Sequence, residues 1–369
     1  MKSMLIIFLL LSTFWVKSQS PAKQAIEPEE SINIKLARFP IADFPKKSII
    51  VSDIRIIQMV RDSVRMGYAL KGMDNYVVTL KITKPLTTFL QDHIYRMYKH
   101  EFKKEGLKIL LVLKDIRMGE KTGLMEYSYG GFNMDAYILG NGELYKKACN
   151  LDTVFVTEMS SDVSKWHGED IENAFRILVK RTLVVAKNTT GLAAEEMTIN
   201  QIIAQPYHDL NLPILNETLY NEGAYANFEE FLENKPSIAN YEPVLVNKKR
   251  IKFISRHQDN NADTINIWGI CKDGEIYKYH EESLIPIEKQ GTGFIISNFI
   301  KNSNRRNRNL VLLSMMGGLA SGLAVGIAID LVTNAKNKLL FVKSIPYITN
   351  PFKQPVASCI NMKTGQVGF

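Results

Sequence analysis

Six histidines are the first residues to ask for chemistry: His93, His100, His167, His208, His257 and His280. A catalytic or structural zinc ion needs three or four ligands gathered at one point. His93 and His100 stand seven residues apart, two turns along one face of a predicted helix, and no third ligand can be named beside them. No H-E-x-x-H pair occurs. The histidines are therefore read as solvent-edge residues, with no metal and no cofactor expected. A G-x-S-x-G elbow, which would present a serine nucleophile on a strand-to-helix turn, is absent. So is the G-x-x-x-x-G-K-[ST] phosphate cradle of an NTPase. Glu229-Glu230 and Glu281-Glu282 are neighbours in sequence and point apart, so neither pair resembles two carboxylates converging on one bond. Gly130-Gly131 and Gly140–Gly142 are placed in turns between strands. Tyr127, Tyr129 and Phe132 cluster around the first of these turns, as core packing or, in a sharper reading, as a peptide- or glycan-contact loop. No residue is assigned a catalytic role, and the chain is read as leaning toward a non-catalytic protein, the alternative being an exported enzyme or small-ligand carrier with a cleft between its two domains.

The chain offers a different kind of chemistry between Leu310 and Ile329, LVLLSMMGGLASGLAVGIAI. Twenty uncharged residues at the helical rise would extend about 30 Å, the thickness of a bilayer's hydrocarbon core. Gly318, Gly322 and Gly326 recur every fourth residue, continued upstream by Ser314. On a helix they form a strip without bulk, where a second backbone can come close. The other rows carry large apolar side chains. Lys301, Arg305, Arg306 and Arg308 precede the stretch, placed to meet anionic headgroups. The competing reading is a buried glycine-rich helix in a water-soluble domain. The expected partners through 310–329 are membrane lipid or a second copy of the chain, with a further envelope protein as a candidate. Basic residues elsewhere are interleaved with acids, so no nucleic-acid partner is expected.

Met1–Ser18 has the order of a secretory signal: Lys2, an apolar run over Met4–Val16, then a small-residue exit at Ser18. Its removal would take Lys2 and Lys17 away and lower the net charge from +8 to +6. The protein is thus expected in the periplasm or cell envelope, associated with a membrane. Three cysteines, Cys149, Cys271 and Cys359, allow one disulfide at most. Cys271 and Cys359, both in the C-terminal half, are the candidate pair; three buried thiols are the alternative.

The elements that carry these features divide as signal 1–18, an extended proline-containing arm 19–47, an α+β domain 48–205 and a β-rich domain 211–369. In the first domain, Ile49–Ile57, Tyr76–Ile82, Leu107–Arg117, Phe132–Leu139 and Thr153–Met159 read as strands. Leu86–Glu105 has an apolar residue at every third or fourth position, with Pro85 at its opening and Gly106 at its stop. Ser164–Lys187 has the same pattern. A mixed sheet with two helices on one side follows. That order of elements resembles, in layout alone, the small accessory lipoproteins of diderm envelope systems. In the second domain, Ala224–Glu233 is a predicted short helix. Strands over 250–255, 264–271, 275–279, 284–287 and 293–298 form an antiparallel meander, with a hairpin at Asp273-Gly274. Leu339–Lys343 and Val356–Met362 could add the last strands. If they do, 310–329 cannot cross a bilayer once, because one sheet would lie on both sides of it.

NEGAYANFEEFLENKPS (221–237), IWGICKDGEIYKY (267–279), the glycine-rich apolar run and MKTG (362–365) resemble, in that order, an uncharacterised group of exported proteins of diderm bacteria. Cys359-Ile360-Asn361 departs from the group, which has a more acidic strand there. The resemblance implies an envelope location and no established activity.

Overall fold

The computed structural model describes residues 30–36, 50–60, 65–72, 75–123, 125–140, 142–188, 195–204, 212–246, 250–256, 262–297, 299–300, 303–304, 340–342, 345, 348–350 and 353–369. The signal segment, most of the arm, 310–329 with Gly318, Gly322 and Gly326, and Lys301, Arg305, Arg306 and Arg308 lie outside the described residues, as do His208 and His257. Ser31–Phe369 forms one compact unit. It is a mixed α+β structure whose two lobes each hold a large sheet.

The first lobe contains β1 (Ser31–Asn33), β2 (Val51–Gln58), β3 (Arg65–Lys71), β4 (Tyr76–Lys81), α1 (Leu86–Tyr98), β5 (Leu107–Thr122), β6 (Glu126–Leu139), β7 (Tyr145–Met159), α2 (Trp166–Lys187), β8 (Glu196–Met197) and α3 (Ile199–Ala204). Its eight-stranded sheet runs β1-β4-β3-β5-β6-β7-β8. One edge of β5 pairs with β6 along its length. The other edge is shared: β2 lies parallel to Leu107–Leu113, and β3 meets β5 at Gly67 and Met118.

The two faces of β5 read differently, the alternation shifting by one residue at a bulge between Leu113 and Asp115. Ile109, Leu111, Leu113, Ile116 and Met118 face α1 and α2, where Leu90, Ile94, Phe175 and Leu178 close the main core. Each such side chain contributes about 1.5–3 kcal/mol by leaving water. On the opposite face, Leu110 and Val112 pack with Tyr137, Met197 and Ile202. The apolar stripe of α1 is buried as its spacing demands. The helix ends at Tyr98 rather than Glu105, because the backbone at Phe102 bridges Val51 and the Lys103 N–H donates to the Val51 carbonyl at 2.9 Å. Gly106 is not a helix stop: a β-carbon there would stand 2.6 Å from the Ile50 carbonyl oxygen.

The second lobe contains α4 (Pro213–Asn216), β9 (Gly223–Tyr225), α5 (Phe228–Leu232), β10 (Glu242–Val246), β11 (Arg250–Arg256), β12 (Ala262–Ile265), β13 (Gly269–Lys272), β14 (Glu275–His280), β15 (Ser283–Gln290), β16 (Gly293–Ile296), β17 (Cys359–Ile360) and β18 (Val367–Gly368). Of the expected meander, 275–279, 284–287 and 293–298 are present as β14–β16 in an antiparallel sheet of order β18-β17-β16-β15-β14-β13-β9, whereas 264–271 is broken into β12 and β13, and β11 (the expected strand 250–255) joins β12 in a different sheet. Asp273 and Gly274, at φ of 54° and 74°, make the expected two-residue hairpin. One face holds Tyr225, Ile276, Ile287, Phe294 and Ile360 against α4, α5 and the chain around Val342. The other face, Ala224, Ile270, Tyr277 and Tyr279, is covered by the three-stranded sheet β10-β11-β12 through Phe253, Ile251 and Ile265. The motif NEGAYANFEEFLENKPS builds its own bend. Asn227 caps α5 by accepting the Glu230 N–H at 2.9 Å. Asn234, buried at φ 54°, accepts from the Asn221 N–H and the Tyr225 hydroxyl and donates to Glu217.

The final strands do join this sheet: Phe294 pairs with Ile360, and Ile295 with Cys359. That pairing also keeps the expected disulfide between Cys271 and Cys359 from forming. Cys271 lies on β13 and Cys359 on β17, with β14, β15 and β16 between them. Four inter-strand steps of about 4.8 Å separate the two along the sheet. A disulfide needs α-carbons within about 7 Å. All three cysteines are free thiols, and burial pushes that of Cys271 up to about 11.

Candidate functional site

The strands of the first lobe turn one face toward the helices and the other toward the second lobe, and each face carries a polar arrangement. Ser128, Gly130 and Glu120 point at α2. The Ser128 hydroxyl lies 3.3 Å from His167 Nδ1, and His167 Nε2 lies 2.7 Å from Glu120 Oε1. Glu120 Oε2 accepts the Leu70 N–H at 2.6 Å. Serine, histidine and glutamate in a row invite comparison with a hydrolase triad. A working nucleophile must meet substrate beside donors for the developing oxyanion. Ser128 and His167 are instead fully buried where α2 meets the sheet. The chain joins β3, β5, β6 and α2 and serves to pin them. Asp170, one turn along α2, is buried beside it with Oδ2 unpartnered. Burial is the largest cause that raises its carboxyl to about 7, opposed by His167 and reinforced by Glu169.

Two histidines thus depart from the solvent-edge reading. His167 sits in this network, and His93 is fully buried on α1 with neither ring nitrogen hydrogen-bonded. Burial, then Arg96, lowers His93 to about 4. His100 is exposed and His280 half-buried. Among the described residues, no three His, Cys, Asp or Glu side chains are placed to hold a metal ion.

The opposite face opens on a cleft of about 360 Å³ between the lobes. Lys114, Asp115, Arg117, Asn133 and Asp152 come from β5–β7, and Arg65 and Tyr68 from β3. The far wall is β16 to β18 and the turn at Asn361–Gln366. The cleft ends where Phe369 lies against the first lobe. A β-carbon at Gly119 or Gly131 would stand 3.1 Å from the Phe369 ring, and Tyr129 meets that ring at 6.0 Å. The Tyr129 hydroxyl donates to the Lys353 carbonyl at 2.8 Å, and Lys353 pairs with Glu158. Lys121, buried, donates to the Gln354 carbonyl at 3.1 Å and lies 4.7 Å from the Phe341 ring centre.

Gly130-Gly131 is therefore not a turn. Both residues lie inside β6, one making room for Asp170 and the other for Phe369. The aromatic cluster is split accordingly: Phe132 packs with Phe155 under the helices, while Tyr127 and Tyr129 face the second lobe. A glycine inside a strand is the signal for such close approach. Gly131→Leu is expected to displace the Phe369 ring at a cost of about 1–3 kcal/mol, read as a lower urea midpoint. Adding Phe369→Ala should cost less in that background than alone, because the clashing ring has gone. Additive costs would show that the two do not touch.

No family model and no curated protein matches this sequence. A solved structure from Xanthomonas campestris, of family-model DUF330, shares 12% identity with it. The match covers 43% of this chain and 97% of that one at a TM-score of 0.29. Neither a family nor a role follows from a likeness at that level.

Among the described residues no helix is long and apolar enough to cross a membrane. The attachment of the chain on either side of 305–339 can be followed all the same. Before it, Asn304 is buried and its Oδ1 accepts the Val77 N–H at 2.5 Å. After it, the Leu340 carbonyl accepts from Ala357 at 2.8 Å and the Val342 N–H donates to Pro355 at 3.0 Å.

Proposed function

We propose that the protein is a non-catalytic component of a bacterial cell envelope. It is exported by Met1–Ser18 and associates with a membrane or a second copy of itself through the small-residue strip of 310–329. Its lobes then present a surface to a partner protein. The observation that carries this reading is the pairing of a charge-free, glycine-spaced stretch with flanks that both dock on one body. Asn304 binds β4, and Leu340–Val342 binds the chain that continues into β17. A single crossing would set β17 across a bilayer from β16, its partner. The stretch therefore leaves and returns on one side of whatever it meets.

Two measurements test this reading. Mixed with vesicles containing phosphatidylglycerol, the mature protein should float with them, or else run as an oligomer in their absence. Recovery wholly as a monomer in the salt-washed soluble fraction would overturn the reading. Glu288→Cys and Thr349→Cys, both exposed and on either side of the stretch, should react with a membrane-impermeant thiol reagent from the same side. Labelling from opposite sides would restore a single crossing.

A further inference from the structure

The three-stranded sheet of the second lobe ends on β10, and its hydrogen bonds show which way that edge faces. β10 pairs with β11 as Pro243–Phe253, Val244–Lys252 and Leu245–Ile251. Among the described residues no strand lies along its other side. In an antiparallel ladder, opposed residues alternate between pairs that exchange both backbone bonds and pairs that exchange none. Ile251 exchanges none with β10: its N–H donates to the Glu282 carbonyl at 2.7 Å, and its carbonyl accepts the Tyr279 hydroxyl at 2.7 Å. Leu245, opposite it, therefore turns its own N–H and carbonyl outward. Pro243, two residues back, has the same parity, so the N–H that proline lacks is one the ladder with β11 never uses. A sheet edge is where a proline of that parity belongs. The Leu245 side chain shares a face with Ile251 and Phe253, which pack against the larger sheet. It carries that apolar layer out past its cover and is 62% exposed.

We propose that β10 is the docking edge for a second copy of this chain, the two strands pairing antiparallel about a two-fold axis at Leu245. In that register the Leu245 N–H donates to the carbonyl of the partner's Leu245, and the reverse bond follows by symmetry. The two exposed leucine side chains cover each other. Val244 stands opposite the partner's Val246, an apolar β-branched pair. Pro243 falls at the end of the paired stretch, where its missing donor breaks no bond. No charge lies on the axis. The antiparallel arrangement carries Glu242 away from its own copy, to the end of the hairpin that bears the partner's Arg250. A strand of another sequence could use the same backbone groups, but a copy brings the matching leucine and valines by symmetry. This edge is separate from 310–329, so pairing here neither needs nor excludes the membrane association proposed above.

Sedimentation equilibrium of the full mature chain tests this, in a non-ionic detergent that occupies the apolar 310–329. A concentration-dependent dimer is expected, since a short strand pair makes a small interface. Leu245→Lys, which sets like charges on the axis, should weaken it by at least about tenfold. Leu245→Pro removes the outward donor and leaves the β10–β11 ladder its bonds. It should weaken the dimer as much, with a far-UV spectrum like that of the wild type. Lys252→Gln, exposed on the other face of the hairpin, should leave the dimer unchanged. Leu245→Cys covers the case in which the lysine or proline variant fails to fold. Its α-carbon should stand about 5.5 Å from its copy, within disulfide reach, so mild oxidation should cross-link it well above the wild type with its three native thiols. The proposal is overturned if the wild type stays monomeric up to about 1 mM. It is overturned too if the folded Leu245→Lys and Leu245→Pro variants dimerise as the wild type does, or if Leu245→Cys cross-links no more than Lys252→Cys. A dimer that survives both Leu245 variants and is lost in Gly322→Leu would likewise overturn it, and would leave the association through 310–329 standing.

Discussion

Asp170→Asn should turn a flat pH profile of stability into a rising one. Asp170 titrates near 7 in the folded protein against an ordinary 3.8, so folding favours its protonated form. Its contribution is full below pH 3.8 and is lost as pH rises through 7. His93 works in the opposite sense: its folded value near 4 lies below the ordinary 6.5, so folding favours the neutral ring. That contribution is full above pH 6.5 and is lost as pH falls through 4. Between about pH 4 and 6.5 the folded state holds one proton more than the unfolded state at Asp170 and one fewer at His93, and the two slopes cancel. Asp170→Asn removes one side of the balance. Unfolding free energy should then climb by about 1.4 kcal/mol per pH unit across that window. By pH 8 the variant should have gained about 4 kcal/mol on the wild type relative to pH 3.5. His93→Leu should show the mirror image, falling with pH at the same rate. Urea titrations at half-unit pH steps read both. A profile for Asp170→Asn parallel to the wild type would mean that the carboxyl is ionised in the folded protein.

Much of the architecture is written in side-chain periodicity. Leu86, Leu90, Ile94 and Met97 mark α1, and Ile171, Phe175 and Leu178 mark α2, because one helical face must be buried. Asp273-Gly274 fixes a hairpin because both positions need positive φ. The sequence pattern fails where a tertiary contact overrides it. Phe102 extends the apolar stripe of α1, yet its backbone pairs with β2. β3 escapes notice because Gly67 interrupts a short segment bounded by Arg65 and Lys71. β6 was expected to begin at Phe132 and begins at Glu126, since two adjacent glycines look like a turn when no neighbour is in view.

The sites follow the same logic. The cleft could have been found from two strand glycines, Gly119 and Gly131, whose missing side chains make room for Phe369, while Gly130 makes room for Asp170 on the other face. The alternation of β5 pointed there too. On one face its residues are apolar throughout, Ile109, Leu111, Leu113, Ile116 and Met118, while the other face changes from Leu110 and Val112 to Asp115 and Arg117, a bulge after Leu113 shifting the alternation by one residue. The burial of His93 and His167 was signalled only by their helical spacing to apolar neighbours, Leu90 and Met97 for His93 and Ile171 for His167. His93 sits within the apolar stripe of α1, and its depth depends on α2 and the sheet, which lie far off in sequence.

Gly67→Ala should be the most damaging single-methyl change in the first lobe. At φ 133° the backbone is in a region that L side chains rarely adopt, a strain of about 1–3 kcal/mol. A β-carbon would also fall 1.8 Å from the Met118 carbonyl oxygen, and backbone in the middle of a paired strand cannot step aside. Gly67–Met118 is the one registered pair between β3 and β5, so relief of the clash must part β1, β4 and β3 from the rest of the sheet. The Leu70 N–H would move away from Glu120, and Arg65 away from the cleft. The expected loss exceeds about 4 kcal/mol, a fall in melting temperature of roughly 10 °C. Amide exchange should rise first in Arg65–Lys81 and spare β6 and β7. Gly72→Ala is the control. That glycine also has positive φ, 71°, but nothing stands within 4 Å of its β-carbon position, so only the conformational part of the cost should appear. Equal losses in the two variants would mean that the close approach to Met118 is not what the glycine provides.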